Sequence, residues 1–126
     1  MEGELPRSGW REMALWLIRR RRLFRVTGDS MTPTLMSGAV VMLDPRAYRS
    51  RRPQEDEIVV TRHPRNTGLQ IVKRVAAVIE SRTESSAPSI GLILASDNAA
   101  PGADSRTFGP VGLDLVLGKV VSCLRQ

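Results

Sequence analysis

Ser30 lies in the stretch VTGDSMTPTL, residues 26–35, two positions after a glycine and three before a proline. Pro33 lacks an amide hydrogen and biases Thr32 away from the helical region, so the stretch reads as a turn that exposes Ser30. A serine hydroxyl becomes a nucleophile only beside a base. The usual base is poorly placed, because the single histidine, His63, is flanked by Arg62 and Pro64 in an expected loop. The G-x-S-x-G nucleophile elbow is also absent. One of the two lysines offers the alternative. Written as a strand, residues 69–76 (LQIVKRVA) place Leu69, Ile71, Lys73 and Val75 on one face and Gln70, Val72, Arg74 and Ala76 on the other. Burial on that aliphatic row disfavours the ammonium; lowering its pKa by about three from ~10.4, at about 4 kcal/mol, would make Lys73 a base competent near neutral pH. Ser–Lys pairs are a known variant of the triad logic. A lysine that snorkels from an edge strand is the other reading of the same row.

The elements that must position these two residues are mostly short strands, expected at 23–26, 39–43, 57–62, 69–79, 90–95 and 115–124. Turn and loop signals separate them: Pro45-Arg46, Pro53-Gln54, the loop around 64–68, the polar run 81–89, and residues 97–110. Ahead of them Ser8 can cap a short amphipathic helix carrying Trp10, Met13, Trp16 and Leu17, which ends in four arginines, residues 19–22. No internal repeat and no second core are visible. The expected fold is mainly β, a twisted, partly closed sheet of residues 24–126 with residues 1–23 as a helical lead-in.

Four stretches in order, GDSMTPTL, DEIVVTR, IVKRVAAV and SDNAAPGADSRTFGPVGLDLVLGKVV, resemble the conserved boxes of type I signal peptidases and their LexA-like relatives. The resemblance covers residues 26–121. It implies a serine endopeptidase in which Ser30 attacks a peptide carbonyl and neutral Lys73 removes its proton. Gly28, Asp29 and Ser30 would form the nucleophile turn, with the Ser30 amide as an oxyanion donor, and Met31, Pro33 and Leu35 would shape the cleft. Gly28 stands where some signal peptidases have a serine as second donor. Asp97 would pair with Arg74, and Asp104 with Arg106. Gly102 occupies the place of a serine that usually contacts the lysine, which leaves Ser96 or Ser105 to take over. Within this superfamily the compact chain looks most like the nickel-type superoxide dismutase maturation proteases. That likeness implies a protein substrate, the dismutase precursor, whose leader is removed to expose a nickel-binding N-terminus. No cofactor or metal is implied for the protease itself.

Composition bounds the alternatives. The 126 residues are 41% hydrophobic and 4% aromatic with a net charge of +6, so one aliphatic core is expected. The single cysteine, Cys123, excludes an intramolecular disulfide and reads as a core residue of the last strand. The acidic, proline-broken start is unlike a secretory signal, and the apolar run 13–18 is far short of the about 20 residues that span a bilayer. The expectation is a soluble, cytoplasmic protein. Tryptophans beside arginines also suit peripheral membrane contact through residues 8–22, as in an anchorless signal peptidase cleaving other leaders; a LexA-like accessory protease would share the fold. A basic nucleic-acid-binding module is disfavoured, because one tyrosine and two phenylalanines cannot supply a stacking sheet. No nucleic-acid partner is expected.

Overall fold

A computed structural model describes residues 5, 7, 9–17, 20–83, 86–98 and 109–126, without side chains at 15–17, 83, 86 and 87. Helix α1 (Trp10–Leu17) precedes strands β1 (Arg22–Arg25), β2 (Val40–Asp44), β3 (Ile58–His63), β4 (Asn66–Thr83), β5 (Ser86–Ala95), β6 (Val111–Gly112) and β7 (Val116–Arg125). All seven strands form one antiparallel sheet in the order β1-β2-β7-β3-β4-β5-β6. The sheet is open, with β1 and β6 at its edges, and the mainly β expectation holds.

β3 shows why the sheet can carry two apolar layers. Its first four residues, Ile58 to Thr61, are all buried, the pattern of a strand covered on both faces rather than one. Ile58 and Val60 point into a core with Val26, Met31, Leu35, Val41 and Val72, whereas Val59 points into a second with Val75, Leu92, Leu94 and Val111. Cys123 belongs to the first. Two departures from the expected strands have simple causes. The polar run 81–89 continues the β4–β5 ladder, with Ser81 opposite Ser89 and Thr83 opposite Ser86, because an exposed ribbon needs no apolar face to pair. β6 is two residues long, too short to show any alternation.

The lead-in lies against this sheet. Leu5 packs on the first core, Arg7 bridges Cys123, and the Arg21 guanidinium reaches both Glu12 of α1 at 2.9 Å and Asp44 of β2 at 3.7 Å. Trp10 is 79% exposed and Met13 is exposed as well. The proposed cap, Ser8, lies outside the described residues.

β7 passes close beneath the end of β2. A Cβ built on Gly118 would stand 2.8 Å from the Asp44 carbonyl oxygen and 3.1 Å from Pro45 Cα, both backbone atoms that cannot swing aside. Gly118→Ala is therefore expected to lower the unfolding free energy by about 1–3 kcal/mol. A urea melt should show a lower midpoint at unchanged slope; an unchanged midpoint would mean the strands separate at no cost.

Candidate active site

The turn carrying Ser30 is closed at its base and pinned at its middle. Val26 N donates to Ala39 O at 2.8 Å and Gly38 N to Val26 O at 2.7 Å, so the two limbs meet like a short ladder. Between them Gly28 has φ +81°, and its amide donates to Ser37 Oγ at 3.2 Å. The left-handed backbone explains the residue type: any side chain there, serine included, costs about 1–2 kcal/mol. Gly28→Ala should accordingly lower the thermal midpoint by several degrees although the space around it is open. Met31 and Leu35 are fully buried and anchor the turn in the first core, and Leu35 N donates to Met31 O at 2.8 Å. Of the three expected cleft residues, Pro33, whose peptide bond with Thr32 is cis, is the one that faces solvent. Ser30 itself is partly exposed.

Lys73 lies in the middle of β4, opposite Val59 and two residues from Val75, and is 4% exposed. Because β4 is flanked by β3 and β5, the snorkelling alternative falls away: there is no edge over which the ammonium can reach water. Its Nζ donates to Ser96 Oγ at 2.9 Å. The next residue of each strand makes a contact on the opposite face. Arg74 donates from Nε and Nη2 to the two carboxylate oxygens of Asp97, each at 2.7 Å, and from Nη1 to Asp56 O at 2.7 Å. Asp97 also accepts the Thr34 hydroxyl at 2.6 Å. Burial pushes the Asp97 carboxyl upward, but the Arg74 fork and the Thr34 hydroxyl outweigh it and hold the group below its ordinary range. The same hydrogen bonds raise Arg74.

Asn98 completes the series. Its amide N donates to Ser30 O at 2.9 Å, and its Nδ2 to Asp29 O and Thr32 Oγ1, both at 3.0 Å. Three consecutive residues, 96–98, therefore hold Lys73, the Arg74–Thr34 pair and the Ser30 turn in turn. Among the described residues, Ser30 and Lys73 are linked through this segment rather than by a hydrogen bond between their own side chains; such contacts characteristically close when substrate binds. Asp104, Ser105, Arg106 and Gly102 lie outside the described residues. Asn98, Thr32 and Thr34 were not singled out by sequence reasoning, although Asn98 directly follows Asp97 within a recognised box. Gln126 was missed with no signal at all: its side-chain amide accepts from Met36 N at 3.1 Å and donates to Thr34 O at 3.0 Å.

Behind the lysine strand lies a second polar cluster. The Glu57 carboxylate accepts from Tyr48 Oη at 2.9 Å, Arg51 Nη2 at 2.8 Å and Gln54 N at 2.9 Å, and lies 3.2 Å from Lys119 Nζ. Burial pushes this carboxyl up, yet the four donors, Arg51 foremost, bring it down to about 2. Tyr48 is raised, by burial and by the adjacent charge, and stays protonated. Because the folded value is depressed, Glu57 contributes stability that is complete above the unfolded value near 4.5 and is lost as pH falls toward about 2. Glu57→Gln should flatten the acid limb of a stability–pH curve over that window; an unaltered limb would remove the cluster from the acid response.

Among the described residues no group of three or more His, Cys, Asp or Glu is arranged to hold a metal ion, and no helix is long and apolar enough to cross a membrane.

A buried strand lysine held by a serine, beside a rigid turn that presents another serine, is the arrangement of a Ser–Lys hydrolase. The signal peptidase family, peptidase S26, matches residues 13–82, more than half of the chain and the part that contains Ser30 and Lys73. The chain belongs to that family and is a serine protease of the signal-peptidase type. It is 32% identical over 114 residues to mitochondrial inner membrane protease subunit 1 of Schizosaccharomyces pombe, covering 79% of this chain and 73% of the relative. It is 30% identical over 110 residues to mitochondrial ATP-independent inner membrane protease subunit 1a of Arabidopsis thaliana, covering 76% and 66% respectively. Subunit 1 of Xenopus tropicalis is 29% identical over 110 residues, covering 79% and 65%. The chain thus spans about two thirds to three quarters of the length of these relatives. Their names correct the cytoplasmic expectation: proteases of an inner membrane point to a membrane-associated location. The short apolar run that prompted that expectation measures one segment's ability to span a bilayer, and association with a membrane does not require it.

Proposed function

We propose that the protein is an endopeptidase that removes leader peptides from proteins presented at a membrane surface, with Ser30 as nucleophile and Lys73 as general base. The observation that carries this reading is Lys73, 4% exposed on an apolar row with its Nζ fixed by Ser96. Burial disfavours the ammonium, so the amine can act as a base. In acylation Lys73 takes the Ser30 hydroxyl proton as Oγ bonds to the scissile carbonyl carbon, and the Ser30 amide faces the resulting oxyanion. The Lys73 ammonium then gives its proton to the leaving amine as the peptide bond breaks. Water, deprotonated by Lys73, hydrolyses the acyl-enzyme and regenerates both groups. Asp97 and Arg74 hold the strand against the turn during these steps.

Membrane presentation is supported by the names of the relatives and by exposed Trp10 and Met13 beside Arg11 and Arg20, a composition suited to a headgroup interface. Removal of a nickel superoxide dismutase leader is the narrower reading; it rests on resemblance alone, and the relatives support the broader one. The purified protein should be given membrane-protein leader peptides and a nickel superoxide dismutase precursor side by side, with products identified by intact mass and Ser30→Ala as control. Cleavage of the leaders, with co-flotation on anionic vesicles, supports the broad reading. Cleavage of the dismutase precursor alone, by protein that stays unbound, would replace it with the narrow one.

A further inference from the structure

The strongest feature not used by that mechanism is the set of donors behind the Ser30 amide. The Asp29 carbonyl oxygen accepts three hydrogen bonds, from Thr32 N at 3.1 Å, Thr32 Oγ1 at 2.8 Å and Asn98 Nδ2 at 3.0 Å. That carbonyl and the Ser30 N–H belong to the same peptide unit. Ser30's own carbonyl, on the other side of its Cα, is held by Asn98 N at 2.9 Å. Both planes flanking the nucleophile are therefore fixed from the segment that also holds Lys73. The Asn98 amide orientation is set by its partners: Asp29 O can only accept, and Thr32 Oγ1 spends its proton on the same carbonyl, so each needs a donor.

We propose that Asn98 and Thr32 are positioning residues for the oxyanion, holding and polarising the Asp29–Ser30 peptide so that its N–H meets the charge that develops on the scissile carbonyl. Donors converging on a peptide oxygen draw electron density from its nitrogen and make the N–H a better donor, the cooperative strengthening known for hydrogen-bond chains. The benefit is specific to the transition state, because the oxyanion takes a stronger hydrogen bond than the ground-state carbonyl. The inference rests on the reading of Ser30 as nucleophile.

Asn98→Ala removes Nδ2 but keeps the backbone amide, Asn98→Asp keeps the shape but places an acceptor against the carbonyl, and Thr32→Val removes one hydroxyl donor. The expected result is a fall in kcat of about tenfold for Asn98→Ala and more for Asn98→Asp, with KM changed less than about twofold. Affinity for a peptide boronic acid, which forms a tetrahedral adduct, should fall by the same factor. Thr32→Val should act in the same direction, and a variant with its thermal midpoint near wild type gives the comparison even if another folds poorly. Unchanged kcat and boronate affinity in Asn98→Ala, with Ser30→Ala inactive, would overturn the positioning role and leave the nucleophile standing. Equal losses in boronate affinity and in binding of uncleaved peptide to the Ser30→Ala background would also overturn it, as simple damage to the cleft. An active Ser30→Ala protein would instead sink the reading beneath it.

Discussion

Lys73→Met abolishes peptide cleavage, lowering kcat/KM by about 10⁴-fold or more, and leaves the protein at least as stable as wild type. The two halves of this expectation have one cause. Lys73 is 4% exposed beside Val75 and opposite Val59, so an unbranched apolar side chain of similar length fits where the amine sits, losing one hydrogen bond to Ser96 while removing a buried polar group. Structural lysines rarely show such an opposition between stability and activity; residues kept for chemistry do. Ser30→Ala should match it in activity. For wild type, kcat/KM should rise with pH through an apparent value below the ordinary ~10.4 of lysine, since only the amine form accepts the Ser30 proton. Retention of more than about a tenth of wild-type activity by Lys73→Met would remove the lysine from the reaction.

Breaking the Arg74–Asp97 pair is expected to cost the most stability of any single substitution at the site. Both side chains are 15% exposed, and their bidentate contact also engages Thr34 of the nucleophile turn. Asp97→Ala leaves the guanidinium half-buried with only the Asp56 carbonyl, a loss of about 3 kcal/mol by analogy with other buried pairs broken on one side. The double variant Arg74→Met/Asp97→Ala should lose less than the sum of the single changes, because neither then strands a charge. Activity should fall with Asp97→Ala even where the fold survives, since Thr34 no longer ties the turn to the lysine strand. Additive losses in the cycle would show that the two groups do not sense each other. The depressed Asp97 carboxyl adds a sign to this: its contribution is present above the ordinary aspartate range and fades as pH falls below it.

The strands that carry the site were legible because their burial is regular. Residues 57–62 and 69–79 show apolar runs and alternation that the sheet uses, and Lys73 stands out as one of two lysines within an apolar row. Ser30 was marked by glycine and proline around it, and Gly28 is the residue whose positive φ gives that punctuation its physical meaning. The supporting contacts were not legible from residue types alone. An asparagine in a run of small polar residues has the same composition as any turn, and only the fold shows that Asn98 spans back nearly seventy positions to Asp29. Gln126 is further still from Thr34 in sequence, and an exposed glutamine carries no pattern. β6 and the extension of the β4–β5 ribbon escaped for the opposite reason: neither needs an apolar stripe to form.

The strand order has a consequence for when the enzyme becomes competent. β1, β2 and the turn between them make one half of the sheet, and β3 to β6 with Lys73 make the other; β7, later in the sequence than either, lies between β2 and β3 and pairs with both. The nucleophile and its base thus belong to separate local units until a distant strand is inserted, the kind of long-range pairing that folds slowly. A chain with β1 to β6 in place would hold every catalytic group and still lack the seam that registers them. Proteolytic power in this molecule is therefore an end-point of assembly, withheld from partly folded chains that would otherwise be substrates for one another.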